Sequence, residues 1–358
     1  MIENEIKNTF EKIVSFRATP GINYAVIKDE KEYIGSLGLK AQYILDKDTL
    51  KDAPEENNID TLYDIASLTK VVCTLPIIFR LQKKGKLNIN DNVKKYLPDF
   101  KYKNITIYDL MTHRSGLPAN FELKKLVSKE EIIKRLYEFE LVNKKGTYLY
   151  TDIGYMLLGL IIEKVCNKSL DEVFDQEVRK PLEMKNTVFN PKQKEITAPT
   201  EVTITRGVVR GVVHDEKAYC MNGISGHAGL FSSIKDLVNF ATMILNKGRF
   251  NGKRYLDKSV IETWFSKQAI KEGYKRSFCW FIGNNPNIVE GIGDEVISFQ
   301  GFTGSSILID IKNRLIIIML ANRIHPTRDN KLYTKLRLQI SKKVYDIFEI
   351  SNNSLISN

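Results

Sequence analysis

Histidine and cysteine are scarce in this chain, with four of each in 358 residues, and neither set is spaced for metal binding or redox chemistry. Cys73, Cys166, Cys220 and Cys279 lie far apart and form no C-x-x-C pair, which argues against a zinc cluster. Cys73 and Cys166 fall inside apolar helical stretches and read as core thiols, as expected in a reducing compartment. His113, His214, His227 and His325 show no H-x-x-H or H-E-x-x-H spacing, so metal catalysis is not expected. No metal and no cofactor is called for. Long apolar runs are also missing. The most apolar stretch, residues 315–321, is too short to span a bilayer and suits a buried strand. The opening MIENEIKNTFEKIVSF is charged and amphipathic without an apolar h-region, so it reads as a helix and not as a signal peptide. A cytoplasmic protein without integral membrane association is therefore expected. Repeats and low-complexity segments are absent too. The net charge of +11 invites a nucleic-acid reading, but the lysines are dispersed and do not alternate with aromatics, so nucleic acid is not expected as a partner.

What is present is the composition of a folded globular chain, 43% hydrophobic and 27% charged, long enough for one two-lobed unit. Residues 2–16 carry helical periodicity through Ile2, Ile6, Phe10 and Ile13 or Val14. Residues 23–27 and 33–37 read as a hairpin turning at Lys28-Asp29-Glu30-Lys31. Residues 46–58 are polar and read as a loop. A helix is expected from Leu68 to about Lys84, stopped by Gly85. Further helices are expected at 105–112, 128–139, 152–166, 169–178, 234–246, 257–266 and 331–348. Residues 190–229 read as a long irregular segment, and loops of that length are often functional. Strands are expected at 277–283, 295–299, 304–311 and 314–321. Strand signals thus sit at both ends around a helical middle. The architecture this implies is α+β: an antiparallel sheet with flanking helices plus an inserted helical lobe. Residues 1–350 form one unit, with an α/β lobe from about 1–66 and 235–350, a helical lobe from about 67–234, and a tail at 351–358. The cleft between lobes is the natural place for a site.

Two S-x-x-K tetrads occur, Ser67-Leu68-Thr69-Lys70 and Ser232-Ser233-Ile234-Lys235. The second precedes an amphipathic helix, where a serine is an ordinary N-cap. Ser67 also starts a helix, but its neighbours are apolar on both sides, and a lysine is costly to place there without a role. Helical i, i+3 spacing puts Lys70 one turn from Ser67. Desolvation is expected to lower the Lys70 pKa and make its amine a proton acceptor for a Ser67 nucleophile. Tyr150-Thr151-Asp152 precedes another apolar helix. Asp152 reads either as its N-cap or as a site residue, and Tyr150 either as a packed aromatic or as an acid–base group whose pKa a nearby ammonium lowers.

At these residues the chain resembles the serine β-lactamase and penicillin-binding protein superfamily, on its class C side. Ile65-Ala66-Ser67-Leu68-Thr69-Lys70 is similar to the first motif and Tyr150-Thr151-Asp152 with Gly154-Tyr155 to the second. Leu87-Asn88-Ile89-Asn90-Asp91 through Tyr96-Leu97-Pro98, Ile105 through Pro118 with its Thr112-His113-Arg114-Ser115-Gly116-Leu117-Pro118, and Gly226-His227-Ala228-Gly229-Leu230-Phe231-Ser232-Ser233 resemble further blocks in the same order. The resemblance implies a β-lactamase/transpeptidase-like fold and a serine hydrolase working through an acyl-enzyme on Ser67. It implies that Lys70 and Tyr150 shuttle the proton, and that the backbone N–H groups of Ser67 and Phe302 form an oxyanion hole. The third motif departs from the family. Phe299-Gln300-Gly301 stands where K-T-G or H-T-G is usual, so the group that helps bind a substrate carboxylate is lost, although Phe302-Thr303-Gly304 is kept.

Arg210 through Ala218 and Asn322 through Asn330 resemble blocks of a narrower subgroup that includes amidases cutting the N-acetylmuramyl–L-alanine bond. The implied substrate is an ester or amide, including a peptidoglycan fragment, with Asp152, Gln300, Gly301, His214 and His325 as candidate contacts. His113, His214, His227 and His325 have a second reading as ligands of buried loop backbone. Two further functions stay open: a binding protein of the same fold with impaired catalysis, and a true β-lactamase or D-Ala-D-Ala carboxypeptidase.

Overall fold

The structure is a computed structural model, and it describes residues 1–46 and 49–350. The tail expected at 351–358 lies outside the described residues.

Strands from both ends of the chain build one nine-stranded antiparallel sheet. In spatial order they are Ala269–Lys271, Tyr274–Ser277, Trp280–Ile282, Val296–Gln300, Ser306–Asp310, Leu315–Ala321, Gly21–Lys28, Lys31–Asp46 and Thr49–Glu56. The join between the two ends is the pairing of Gly21–Lys28 with Leu315–Ala321, in register from Ile22 opposite Ala321 to Lys28 opposite Leu315. Period-2 alternation decides which face each residue covers. Ile316, Ile318 and Leu320 face a large core shared with the helices, whereas Leu315, Ile317 and Met319 face the terminal helices. Both faces are thus covered, which explains why residues 315–321 are apolar throughout. The terminal helices Ile2–Ser15 and Leu332–Ile347 close one face with Ile6, Phe10, Ile13, Tyr333, Ile340 and Val344.

The segment expected as a loop at 46–58 contains a strand, Thr49–Glu56, at the sheet edge. Its side chains are largely exposed, so it has no apolar alternation to betray it; the backbone pairing to Lys31–Asp46 makes it a strand. Strands Ala269–Lys271 and Tyr274–Ser277 at the opposite end of the sheet are short and carry no clear alternation either. Among the described residues, nothing between residues 57 and 268 joins the nine-stranded sheet. Helices Leu75–Lys83, Asp152–Cys166 and Ile234–Leu245 fill much of that stretch, and the irregular segment at 190–229 holds only short pieces such as Glu216–Cys220. No helix among the described residues is long and apolar enough to cross a membrane.

Ile318 is fully buried at the centre of the sheet, and Ile270 is 56% exposed at its edge. Ile318→Ala should therefore lower the unfolding free energy by about 2–5 kcal/mol, read from the shift in urea midpoint. Ile270→Ala should change it by less than about 0.5 kcal/mol.

Candidate active site

The Ser67 loop begins at a buried carboxylate. Asp64 accepts hydrogen bonds from Ala66 N at 2.8 Å and from His214 N at 2.7 Å, and its own carbonyl accepts from Thr303 Oγ1 at 2.6 Å. Burial pushes its pKa up, against the pull of those two N–H groups. Ala66 adopts a left-handed backbone (φ 46°), which turns the chain sharply from the strand Tyr63–Asp64 into the helical run and presents Ser67 at the bend. The turn after the strand Val296–Gln300 closes on the same segment. Ser305 Oγ donates to Ile65 O at 2.9 Å, and a Cβ on Gly301 would stand 2.4 Å from that carbonyl, so only glycine fits there.

Lys70 is fully buried, and three oxygens surround its Nζ: Ser67 Oγ at 3.1 Å, His227 O at 3.1 Å and Asp152 Oδ1 at 2.8 Å. The His227 carbonyl reaches it because the Gly226 backbone lies directly on the helix Asp152–Cys166; a Cβ on Gly226 would come within 2.2 Å of Tyr155 O. Burial alone would lower the Lys70 pKa, as expected from sequence, but the Asp152 carboxylate leads the effects that outweigh it and hold the pKa above the ordinary lysine value. Lys70 is thus an ammonium and not a free amine. Its Nζ lies 5.1 Å from the centre of the Tyr150 ring. Burial pushes the Tyr150 hydroxyl up to about 12, against the Lys70 charge, so the expected lowering is overridden by desolvation.

Asp152 is not the helix N-cap. Thr151 fills that position, its Oγ1 accepting from Gly154 N, which leaves the Asp152 carboxylate free to turn toward Lys70. The rival tetrad resolves as the capping reading has it. Ser233 caps the helix Ile234–Leu245, and Ser232 is buried against Thr187.

A cavity of about 330 Å³ opens over these groups. Ser67, Tyr150, Asp152, His214, Asp215, Lys217, Phe302 and Arg328 are among its lining residues. Phe302 is 46% exposed and stacks on His214, ring centres 5.6 Å apart, with Arg323 and Arg328 also against its ring. Neither the Ser67 nor the Phe302 backbone N–H donates to an acceptor within the described residues. Glu201 ties this side together. It pairs with His214 Nε2 at 2.9 Å and with Arg328 Nε at 2.8 Å. Burial would raise its pKa, but His214 and Arg328 prevail and lower it to about 2.

Three of the candidate contacts stand apart from the cavity lining. His325 accepts from Tyr43 N at 3.2 Å and bonds Thr200 O at 2.9 Å, so it braces loop backbone. Gln300 Oε1 accepts from Asn285 Nδ2 at 3.0 Å, and Gly301 serves the close approach described above. His227 holds Asp215 at 3.0 Å through Nε2 and Ser225 Oγ at 2.9 Å through Nδ1. Ligand atoms of Asp152, Asp215 and His227 come within 4.8 Å of one another, but Lys70, Lys217 and Ser225 already occupy these groups, so the cluster is an ion-pair network and a poor fit for a metal. Asp64, Glu201, Asp215 and Arg328 were missed as site residues. Asp64 stands three positions before Ser67, and Asp215 and Arg328 lie inside the two subgroup blocks, where the histidines drew the attention.

The β-lactamase family profile matches residues 6–342. Among curated proteins, the chain is 33% identical over 372 positions to an N-acetylmuramyl-L-alanine amidase of Bacillus subtilis (strain 168), covering 91% of this chain and 80% of that one. It is 33% identical over 350 positions to a putative D-alanyl-D-alanine carboxypeptidase of Salmonella agona (strain SL483), covering 86% and 79%. Among solved structures, a class C β-lactamase from Rhodobacter sphaeroides superposes with a TM-score of 0.75 at 18% identity, covering 97% of this chain and all of that one, and so shares the fold.

Two outcomes follow from the charges of the site. Glu201 has a depressed pKa, so its ion pairs stabilise the fold above its unfolded value near 4.5 and lose that effect as pH falls toward about 2. Glu201→Gln should cost about 2 kcal/mol at pH 7, since Arg328 is partly solvated, and the difference from wild type should shrink below pH 4.5 in thermal melts. Asp152→Asn removes the charge that most raises the Lys70 pKa. Lys70 should then lose its proton at lower pH, and the alkaline limb of kcat/KM should move down by about 1–3 units.

Proposed function

The chain belongs to the β-lactamase family of serine hydrolases, and on that footing we propose that it hydrolyses an amide of a cell-wall muropeptide through an acyl-enzyme on Ser67. The observation that carries the reading is the Ser67 Oγ–Lys70 Nζ contact of 3.1 Å at the floor of an open cavity. Ser67 Oγ attacks the carbonyl carbon as its proton passes to the Tyr150 oxygen while the Tyr150 phenol proton passes on to the substrate nitrogen, a relay in which the Lys70 ammonium favours charge developing on the phenol oxygen. The uncommitted N–H groups of Ser67 and Phe302 take the developing oxyanion. The C–N bond breaks as the amine receives that proton, and water then releases the acyl group from Ser67 Oγ and restores the hydroxyl.

The choice of substrate is supported by the amidase and carboxypeptidase names of relatives at 33% identity. The third motif supports an amide over a β-lactam. Phe299 is buried and Gln300 is engaged with Asn285, so the strand that bears a cation in the family offers none here. The Phe302 face, with Arg328 and Lys217 nearby, suits a polar substrate with an anionic group.

A fluorophosphonate should label Ser67, and Ser67→Ala should abolish labelling and lower release of L-alanyl peptide from N-acetylmuramyl-L-alanyl peptides by at least about 1,000-fold. Tyr150→Phe should lower the rate by about 100–10,000-fold. Unaltered labelling of Ser67→Ala removes the nucleophile assignment. Ser67-dependent turnover of nitrocefin that exceeds muropeptide cleavage would replace the substrate assignment.

A further inference from the structure

His113 does not line the cavity, yet it touches every residue of the segment that delivers Tyr150. Its backbone carbonyl accepts from Leu149 N at 2.9 Å. Its ring packs on Tyr150 with centres 4.6 Å apart and on Tyr155 at 5.1 Å. Its Nδ1 takes the Thr151 N–H at 3.1 Å. On the far side, Nε2 meets Cys279 Sγ at 3.2 Å, in the bend before the strand Trp280–Ile282. The residue is 1% exposed and sits in a left-handed backbone conformation (φ 57°) just past the helix Ile107–Met111.

Donor and acceptor roles here follow from geometry. A backbone N–H directed at Nδ1 requires a lone pair on that nitrogen, so the proton of the neutral ring stands on Nε2 and points at Cys279. A doubly protonated ring would set N–H against N–H. The groups around it agree. Lys70 and Arg276 oppose a third positive charge, and burial raises the pKa of Tyr148, Tyr150, Tyr155 and Cys279, which keeps them protonated. Burial, ahead of these charges, also pushes the His113 pKa down.

We propose that His113 is a positioning residue for Tyr150: a permanently neutral Nε2–H imidazole that clamps residues 149–151 and sets the phenol over Lys70. The inference rests on the acyl-transfer reading of Ser67, Lys70 and Tyr150. The clamp is reinforced from the same loop, where Pro118 O accepts from Thr151 Oγ1 at 2.6 Å and Ala119 O accepts from Asp152 N at 2.9 Å. A displacement of Tyr150 by about 1 Å costs on the order of 100-fold in rate, so a residue outside the cavity can govern turnover.

The test compares His113→Asn with His113→Gln. The Asn Oδ1 can accept the Thr151 N–H in place of Nδ1, and asparagine tolerates a left-handed backbone. Glutamine instead extends its amide toward Cys279. Against a Ser67-dependent ester or amide, the Asn variant should keep kcat within about tenfold of wild type, with an unshifted pH profile. The Gln variant should lose about 100-fold in kcat, with KM little changed and the limb due to Tyr150 displaced. Nitrogen-15 NMR of the wild-type imidazole should show one neutral Nε2–H tautomer from pH 5 to 9. Equal losses in both variants, retention by Gln alone, full activity in both, or an imidazolium or Nδ1–H tautomer would overturn the proposal. A wild-type protein without Ser67-dependent turnover would defeat the functional reading, and the NMR tautomer would still decide the clamp.

Discussion

A lysine ammonium buried in the interior is the constraint around which this site is arranged. Lys70 has no exposed surface, and removing such a charge from water costs several kcal/mol unless other groups replace the solvent. Three parts of the chain supply the replacement: the Ser67 hydroxyl from its own turn, the Asp152 carboxylate from the first turn of a second helix, and the His227 carbonyl from a loop. Each is held in turn. Thr151 caps the helix that carries Asp152, and the Gly226 backbone lies flat on that helix. The chemistry and the packing thus share one requirement, since the groups that make Lys70 tolerable in the interior also direct it at Ser67.

A buried carboxyl group performs the matching task on the sheet side. Asp64 binds the backbone before Ser67 and the backbone of His214, and its carbonyl receives Thr303. The nucleophile bend, the long irregular segment and the turn after the strand Val296–Gln300 therefore meet at one residue. Glu201 extends the arrangement outward by holding His214 and Arg328, both of which flank the Phe302 ring. In this way a segment with little regular structure of its own acquires a defined shape beside the cavity.

Apolar helical stretches were a sound guide where a helix packs into the core. Residues 152–166 coincide with the helix Asp152–Cys166, and 234–246 nearly so with Ile234–Leu245. The apolar pattern was silent at the sheet edge. Thr49–Glu56 is a strand through backbone pairing, and its largely exposed polar side chains carry no trace of it. Ser67 and Lys70 stood out as candidates because a lysine one turn from a serine in an apolar helical setting is unusual in one dimension, and Tyr150 stood out through the motif resemblance. Asp64, Glu201 and Arg328 did not, because their partners lie far along the chain, His214 for Asp64 and Arg328 for Glu201.

The sequence by itself determined the apolar pattern that sets the two-faced sheet, the glycine that allows close contact at position 301, and the pairing of Ser67 with Lys70 one helical turn apart. Only the tertiary structure decided the protonation of that pair. From the sequence, burial argues for a lowered lysine pKa, and a nearby ammonium argues for a lowered tyrosine pKa. The fold brings Asp152 to within 2.8 Å of Nζ and encloses the phenol, and both shifts reverse. Charge state depends on distances between residues far apart in the chain, and local spacing does not contain those distances.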